Sequence, residues 1–220
     1  MSDSFVATSL SGFIQQLAVC LVGRGYWFYV QGTVPDGKDP ANVDAKLTKR
    51  YRADISKWAR LRRKRAGFAN VAYLRVGRKF VLVATHGLGE FFEEEGELIR
   101  DARREPIKVG GYAIGFRGGH VSVRIDLARY GEIRAYLLDI ACRRGVPDLV
   151  TEVSRVLSFE PYAGVRSQTA CILRAVNRSR AAAGLEPVPQ TCLRTRRKVV
   201  RPFEPILMAD APSEKPTGRR

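Results

Sequence analysis

The chain has 220 residues, 45% of them hydrophobic, and sets 38 Lys and Arg against 22 Asp and Glu for a formal charge of +16. That length and apolar content exclude a disordered polymer and allow one large domain or two small ones around a proper core. The charge suits a polyanion: DNA, RNA or an acidic membrane surface. Arginine greatly outnumbers lysine. Its planar fork grips phosphate bidentately, which ranks nucleic acid above membrane.

The first dozen residues are rich in Ser and polar. They lack the basic n-region of a signal peptide, and no apolar run approaches the roughly twenty residues that span a bilayer. A cytoplasmic, non-membrane protein is therefore expected. GFIQQLAVCLVGRG reads as a short helix with Phe13, Leu17, Cys20 and Leu21 on one side. GYWFYVQGTVP then reads as a strand, its aromatic and β-branched run bounded by Gly25 and Pro35. Tyr26, Phe28 and Val30 point one way and Trp27 and Tyr29 the other. If one of those faces were open, its rings would be a platform for bases.

Asp39 and Pro40 signal a helix start. Beyond them lies the densest charge, Lys46 to Arg65, in which ten of twenty residues are Lys or Arg and only Asp54 opposes them. Leu47, Tyr51, Ile55, Trp58 and Leu61 recur at three- and four-residue steps, the pattern of one helix with a buried stripe. Lys49, Arg52, Arg60 and Arg63 fall opposite the stripe, with Lys57 and Lys64 beside them. These residues are the first candidate contacts to nucleic-acid phosphates.

ANVAYLRV and KFVLVATHG form a hairpin about Gly77, residues 88–104 a helix with an acidic start and a basic end, and KVGGYAIGF and HVSVRIDL a second hairpin. From residue 127 the pattern turns helical, over 127–144, 146–157 and 162–183. Arg174, Arg178 and Arg180 follow one another along the last of these, and Arg196, Arg197 and Lys198 come after a proline-punctuated linker. Two separate basic elements can clamp a duplex or line a single-strand groove. The expected fold is α+β: a mainly antiparallel sheet with helices packed on one face, followed by a helical C-terminal third. The expected divisions are a sheet domain over 1–126, a helical subdomain over 127–184, and a basic linker with a disordered tail over 185–220.

Chemistry-bearing residues are few. Cys20, Cys142, Cys171 and Cys192 form no Cys-x-x-Cys pair and read as reduced thiols. His86 ends one strand and His120 begins another. Were their hairpins neighbours, His86, His120 and either Glu90 or Glu93 would converge on a divalent metal such as Mg or Mn. The phosphate loop of nucleotide-binding proteins and the nucleophile elbow of hydrolases are both absent from the sequence.

The order of a strand, a basic helix ending in RLRRKRAG, the strand YLRV and the strand FVLVATHG is similar to the N-terminal half of rolling-circle replication initiators and related single-strand transposases. The resemblance covers residues 25–90 in order of elements. It implies a metal held by a His-x-His pair and a tyrosine nucleophile on a later helix. Tyr162 in EPYAGVRSQ, with Arg166 one turn on, stands where that tyrosine would be. No His-x-His occurs in the chain, and only His86 and Glu90 could stand in for it. The leading expectation is a nucleic-acid-binding protein, DNA favoured over RNA. The alternatives are a metal-dependent nickase using Tyr162 and a subunit of a nucleoprotein complex.

Overall fold

The structure, a computed structural model, describes residues 5–197 and 199–203. It is an α+β fold whose sheets are dominated by antiparallel pairs. The strands divide into two sheets. The first runs in the order β1 (Val6–Ala7), β3 (Val71–Val76), β4 (Lys79–Ala84), β2 (Phe28–Thr33), β5 (Arg100–Asp101), and only its β1–β3 pair is parallel. The second is an antiparallel meander of β6 (Ile107–Val109), β7 (Tyr112–Arg117) and β8 (His120–Ile125).

Side-chain alternation decides what each sheet covers. On one face of the first sheet Tyr29, Ala72, Leu74, Val81 and Val83 pack against Phe13, Ile14 and Leu17 and against Ile107, Ile114, Val123 and Ile125 of the second sheet. The three helical residues belong to α1 (Leu10–Gln15) and the π-helical turns Gln16–Leu21 that continue it. On the other face Val71, Tyr73, Leu82 and Ala84 pack against Tyr51 and against Phe91 of α4 (Glu90–Glu95). The first sheet is therefore a middle layer with elements on both faces. Tyr29 is buried, and Trp27, Phe28 and Val30 pack against one core or the other, so the aromatic strand offers no open platform. A third core joins α5 (Leu127–Ile140), α6 (Val146–Val156) and α7 (Ala163–Ala182) through Ile133, Leu137, Leu149, Val153, Ile172 and Val176.

Three stretches differ from the sequence expectation. The basic stretch is not one helix but two, α2 (Pro40–Arg50) and α3 (Lys57–Arg65). Tyr51 and Ala53 are buried between them, Arg52 takes a left-handed φ of 51°, and the Ser56 hydroxyl accepts from Ala59 N to start α3 afresh. The acidic helix ends at Glu95 because Gly96, at φ 43°, turns the chain away. The segment after α7 is no free linker up to residue 203. Val188 is buried in the helical core, and the Gln15 side chain donates to Val200 O and accepts from Val200 N. The expected disordered tail beyond it, 204–220, lies outside the described residues.

Candidate nucleic-acid interface

The break between α2 and α3 frees backbone carbonyls that need donors. Arg60 supplies them. Its guanidinium donates to Ala53 O, to Ile55 O at 3.2 Å, to Val71 O at 3.1 Å and to the Tyr26 hydroxyl at 3.0 Å. Arg63 donates to Ala69 O at 3.0 Å, and the Asn70 side chain returns a bond to Arg60 O. The expectation that Arg60 and Arg63 hold a field towards solvent is therefore wrong, since both are turned inward as clamps on the end of the first sheet. Their inward turn exposes the α3 half of the expected stripe, while Tyr51 stays buried and Leu47 packs beside it. Trp58 is 71% exposed and Leu61 38%.

The rest of the helix pair is partly neutralised. Arg50 pairs with Glu94 and Arg52 with Glu90 across to α4. Lys49, Lys57 and Lys64, with Arg62 and Arg65, are exposed and make no ion pair among the described residues. Asp44 anchors α2 to the sheet, accepting from both Arg75 Nε and Arg75 Nη2 at 2.7 Å and from the Tyr73 hydroxyl at 2.5 Å. Burial and that carboxylate push the Tyr73 phenol far up, so it stays a donor.

A different basic surface lies around β8. Two cavities, of about 640 and 430 Å³, both take Ser122 and Arg124 into their lining and so adjoin at β8, a groove in two parts. Its wall carries Arg104, Lys108, Arg117, Arg124, Arg166 and Arg197, six cations against only two carboxylates, Glu105 and Asp126. Those two are already engaged. Glu105 accepts from Arg100 at 2.5 Å, and Asp126 lies 3.2 Å from Lys108 Nζ while its other oxygen caps Ala128 N. Burial raises the Asp126 carboxyl, but Lys108 and the backbone N–H groups of Ala128 and Arg129 together hold it below its ordinary range. Arg104, Arg117, Arg124 and Arg166 are exposed and make no ion pair among the described residues.

Local sequence builds this groove. The register places Ala113 opposite Arg124, Gly115 opposite Ser122 and Arg117 opposite His120, so the small Ala113 leaves Arg124 room across the strands. The α7 helix closes the open edge of β8. The Gln168 amide accepts from Ile125 N at 2.7 Å and donates to Ile125 O at 3.1 Å, replacing the missing strand. Gly164 permits that approach, since a Cβ there would lie 2.6 Å from Val123 O.

Of the residues singled out from sequence, the structure brings together Tyr162, His120 and Arg197 in the larger cavity, with Arg124 and Arg166. The Arg197 guanidinium lies over the Tyr162 ring, 4.7 Å from its centroid. Burial raises the Tyr162 phenol, and Arg197 opposes that rise. His120, which lines the same cavity, donates from Nδ1 to Gly118 O at 2.9 Å. Arg174 and Arg178 are exposed on α7, and Arg196 is exposed beyond it, all outside the groove lining. Arg180 is structural: it is buried and donates to Ala141 O and Arg144 O. Lys198 lies outside the described residues.

The metal site formed by His86, Glu90 and His120 does not assemble. His86 and His120 belong to hairpins of different sheets. His86 lies beside the Phe28 ring and Glu90 pairs with Arg52. Among the described residues no group of three His, Cys, Asp or Glu side chains converges to hold a metal ion. Nor is any helix among them long and apolar enough to cross a membrane.

Sequence reasoning missed Arg117 and Arg124 because neither stands in a basic cluster, and read Arg104 only as part of the basic end of a helix. The available signal was alternation: in HVSVRI the outward set is His120, Ser122 and Arg124, a polar stripe on a strand whose other residues are all Val and Ile. No protein-family model matches this chain, and no curated protein and no solved structure matches it either.

Proposed function

We propose that the protein binds nucleic acid, DNA in preference to RNA, with its phosphate backbone laid along the groove around β8. The observation that carries this reading is the excess of unpaired arginines over engaged carboxylates in the two cavities that adjoin at Ser122 and Arg124. The burial of the strand aromatics supports DNA, because the sheet lacks the stacking platform that RNA-recognition sheets present. Such a protein would act in the cytoplasm within a nucleoprotein complex.

Fluorescence anisotropy with labelled single- and double-stranded oligonucleotides tests the reading. Arg124→Glu with Arg166→Glu is expected to weaken binding by at least about tenfold at low salt and to flatten the log K against log salt slope by about 1–2. Arg174→Glu with Arg178→Glu should weaken it far less. Equal losses in the two pairs would move the site off the groove, and no binding of either strand form at low salt would end the nucleic-acid reading.

A second reading has one observation behind it. Tyr162 shares the larger cavity with Arg124, Arg166 and Arg197. A phosphodiester held by those arginines would present phosphorus to the tyrosine hydroxyl. Its oxygen would form a phosphotyrosyl bond as the bond to one sugar oxygen broke, and the phenolic proton would pass to that departing oxygen. A protein–DNA adduct that survives denaturing electrophoresis and vanishes in Tyr162→Phe is the expected sign. An adduct that persists in Tyr162→Phe, or none at all, rules this chemistry out.

A further inference from the structure

We propose that the outer face of α3 is a stacking site for the bases of single-stranded nucleic acid, with Trp58 as the platform. The inference rests on the nucleic-acid reading but not on the groove. Trp58, Leu61, Arg62 and Arg65 stand at helical steps of three, four and seven, which puts them on one side of α3. The opposite side is taken by Arg60 and Arg63, whose bonds to backbone carbonyls fix how the helix is rolled.

That roll is the reverse of what burial alone would select, since it holds the largest apolar side chain of α3 at 71% exposure and spends arginines inside. An indole held in water beside Arg62 and Arg65 combines a π-face with phosphate-binding forks. No carboxylate occurs in α3, and Lys57 and Lys64 add charge on its side, between this face and that of Arg60. Charge therefore selects a polyanion as the occupant, and the flat ring selects one with accessible base faces. A duplex keeps its bases stacked on one another, whereas a single strand offers them.

The chain has two tryptophans, which makes the test direct. Trp27 is tilted against Phe116 and lies under Arg103, 4.6 Å from its guanidinium carbon, so Trp58 is the solvent-facing fluorophore. Titration of the full chain with an oligothymidylate is expected to quench tryptophan emission, and Trp58→Ala is expected to abolish the quench. The same substitution should weaken single-strand binding by about tenfold while leaving duplex binding unchanged. Trp58→Phe should recover most of the affinity, and circular dichroism should show all variants folded.

Single-strand binding with neither quench nor loss in Trp58→Ala would overturn this inference and leave the groove reading standing. Quench in a protein carrying Arg124→Glu and Arg166→Glu, at unchanged affinity, would do the opposite. Loss of self-association in Trp58→Ala without any change in DNA binding would assign the face to a protein contact and overturn the proposal.

Discussion

Arg60 in α3 and Arg124 in β8 carry the same guanidinium, and each sits in an element rich in polar residues. Around Arg60 the chain has broken a helix and left carbonyls at Ala53 and Ile55, so the fork turns inward and is filled by backbone. Around Arg124 the backbone is already paired in the β7–β8 ladder, and the residue opposite it is Ala113, so the fork stays free for solvent or a ligand. An arginine's role is thus set less by local charge density than by whether the nearby backbone has unmet acceptors. The densest basic stretch in the sequence spends two of its arginines as structural donors, and a sparser strand keeps its arginine available.

The sharpest way to break that comparison is to remove the inward fork. Arg60→Met leaves the carbonyls of Ala53, Ile55 and Val71 without their donor, and a cost of about 3 kcal/mol is expected in urea denaturation. Arg60→Lys keeps the charge but offers no planar fork, so it should recover little of that loss. Duplex affinity of the folded protein should not change in either variant. If stability holds and affinity falls, Arg60 belongs with Arg124 and the distinction collapses.

The same physics explains what could be read from the sequence. The α+β class, the two hairpins and the three C-terminal helices follow from apolar periodicity, because Ile114, Val123, Leu137 and Val176 are buried as their spacing requires. The basic stretch misleads because Trp58 and Leu61 keep a core-like spacing while the face they occupy is exposed, and the deciding information is the carbonyls left open at residues 53–55. His86 and His120 could not be placed, since one antiparallel sheet and two sheets stacked face to face have the same strand pattern. Arg124 was hidden for the reverse reason. Its meaning depends on β7 across the strand and on α7 sealing the edge through Gln168, both remote in sequence.

A smaller effect separates the two surfaces from the side of their acids. In the groove, Asp126 caps α5 and Glu105 pairs with Arg100, so removing either would disturb local structure as well as charge. On the helix pair, Glu90 and Glu94 are half-exposed partners of Arg52 and Arg50, whose loss should not measurably change stability. Glu90→Gln with Glu94→Gln frees two guanidinium groups near α3 without touching the groove. Single-strand affinity should then rise about two- to threefold at an ionic strength near 0.1 M, where charges beyond roughly 10 Å are already screened. The gain should vanish in Trp58→Ala if the bases and the freed arginines hold the same strand. A gain that survives the loss of Trp58 would instead mean that α2 and α3 merely raise the general positive potential, leaving the groove as the single place where the strand is held.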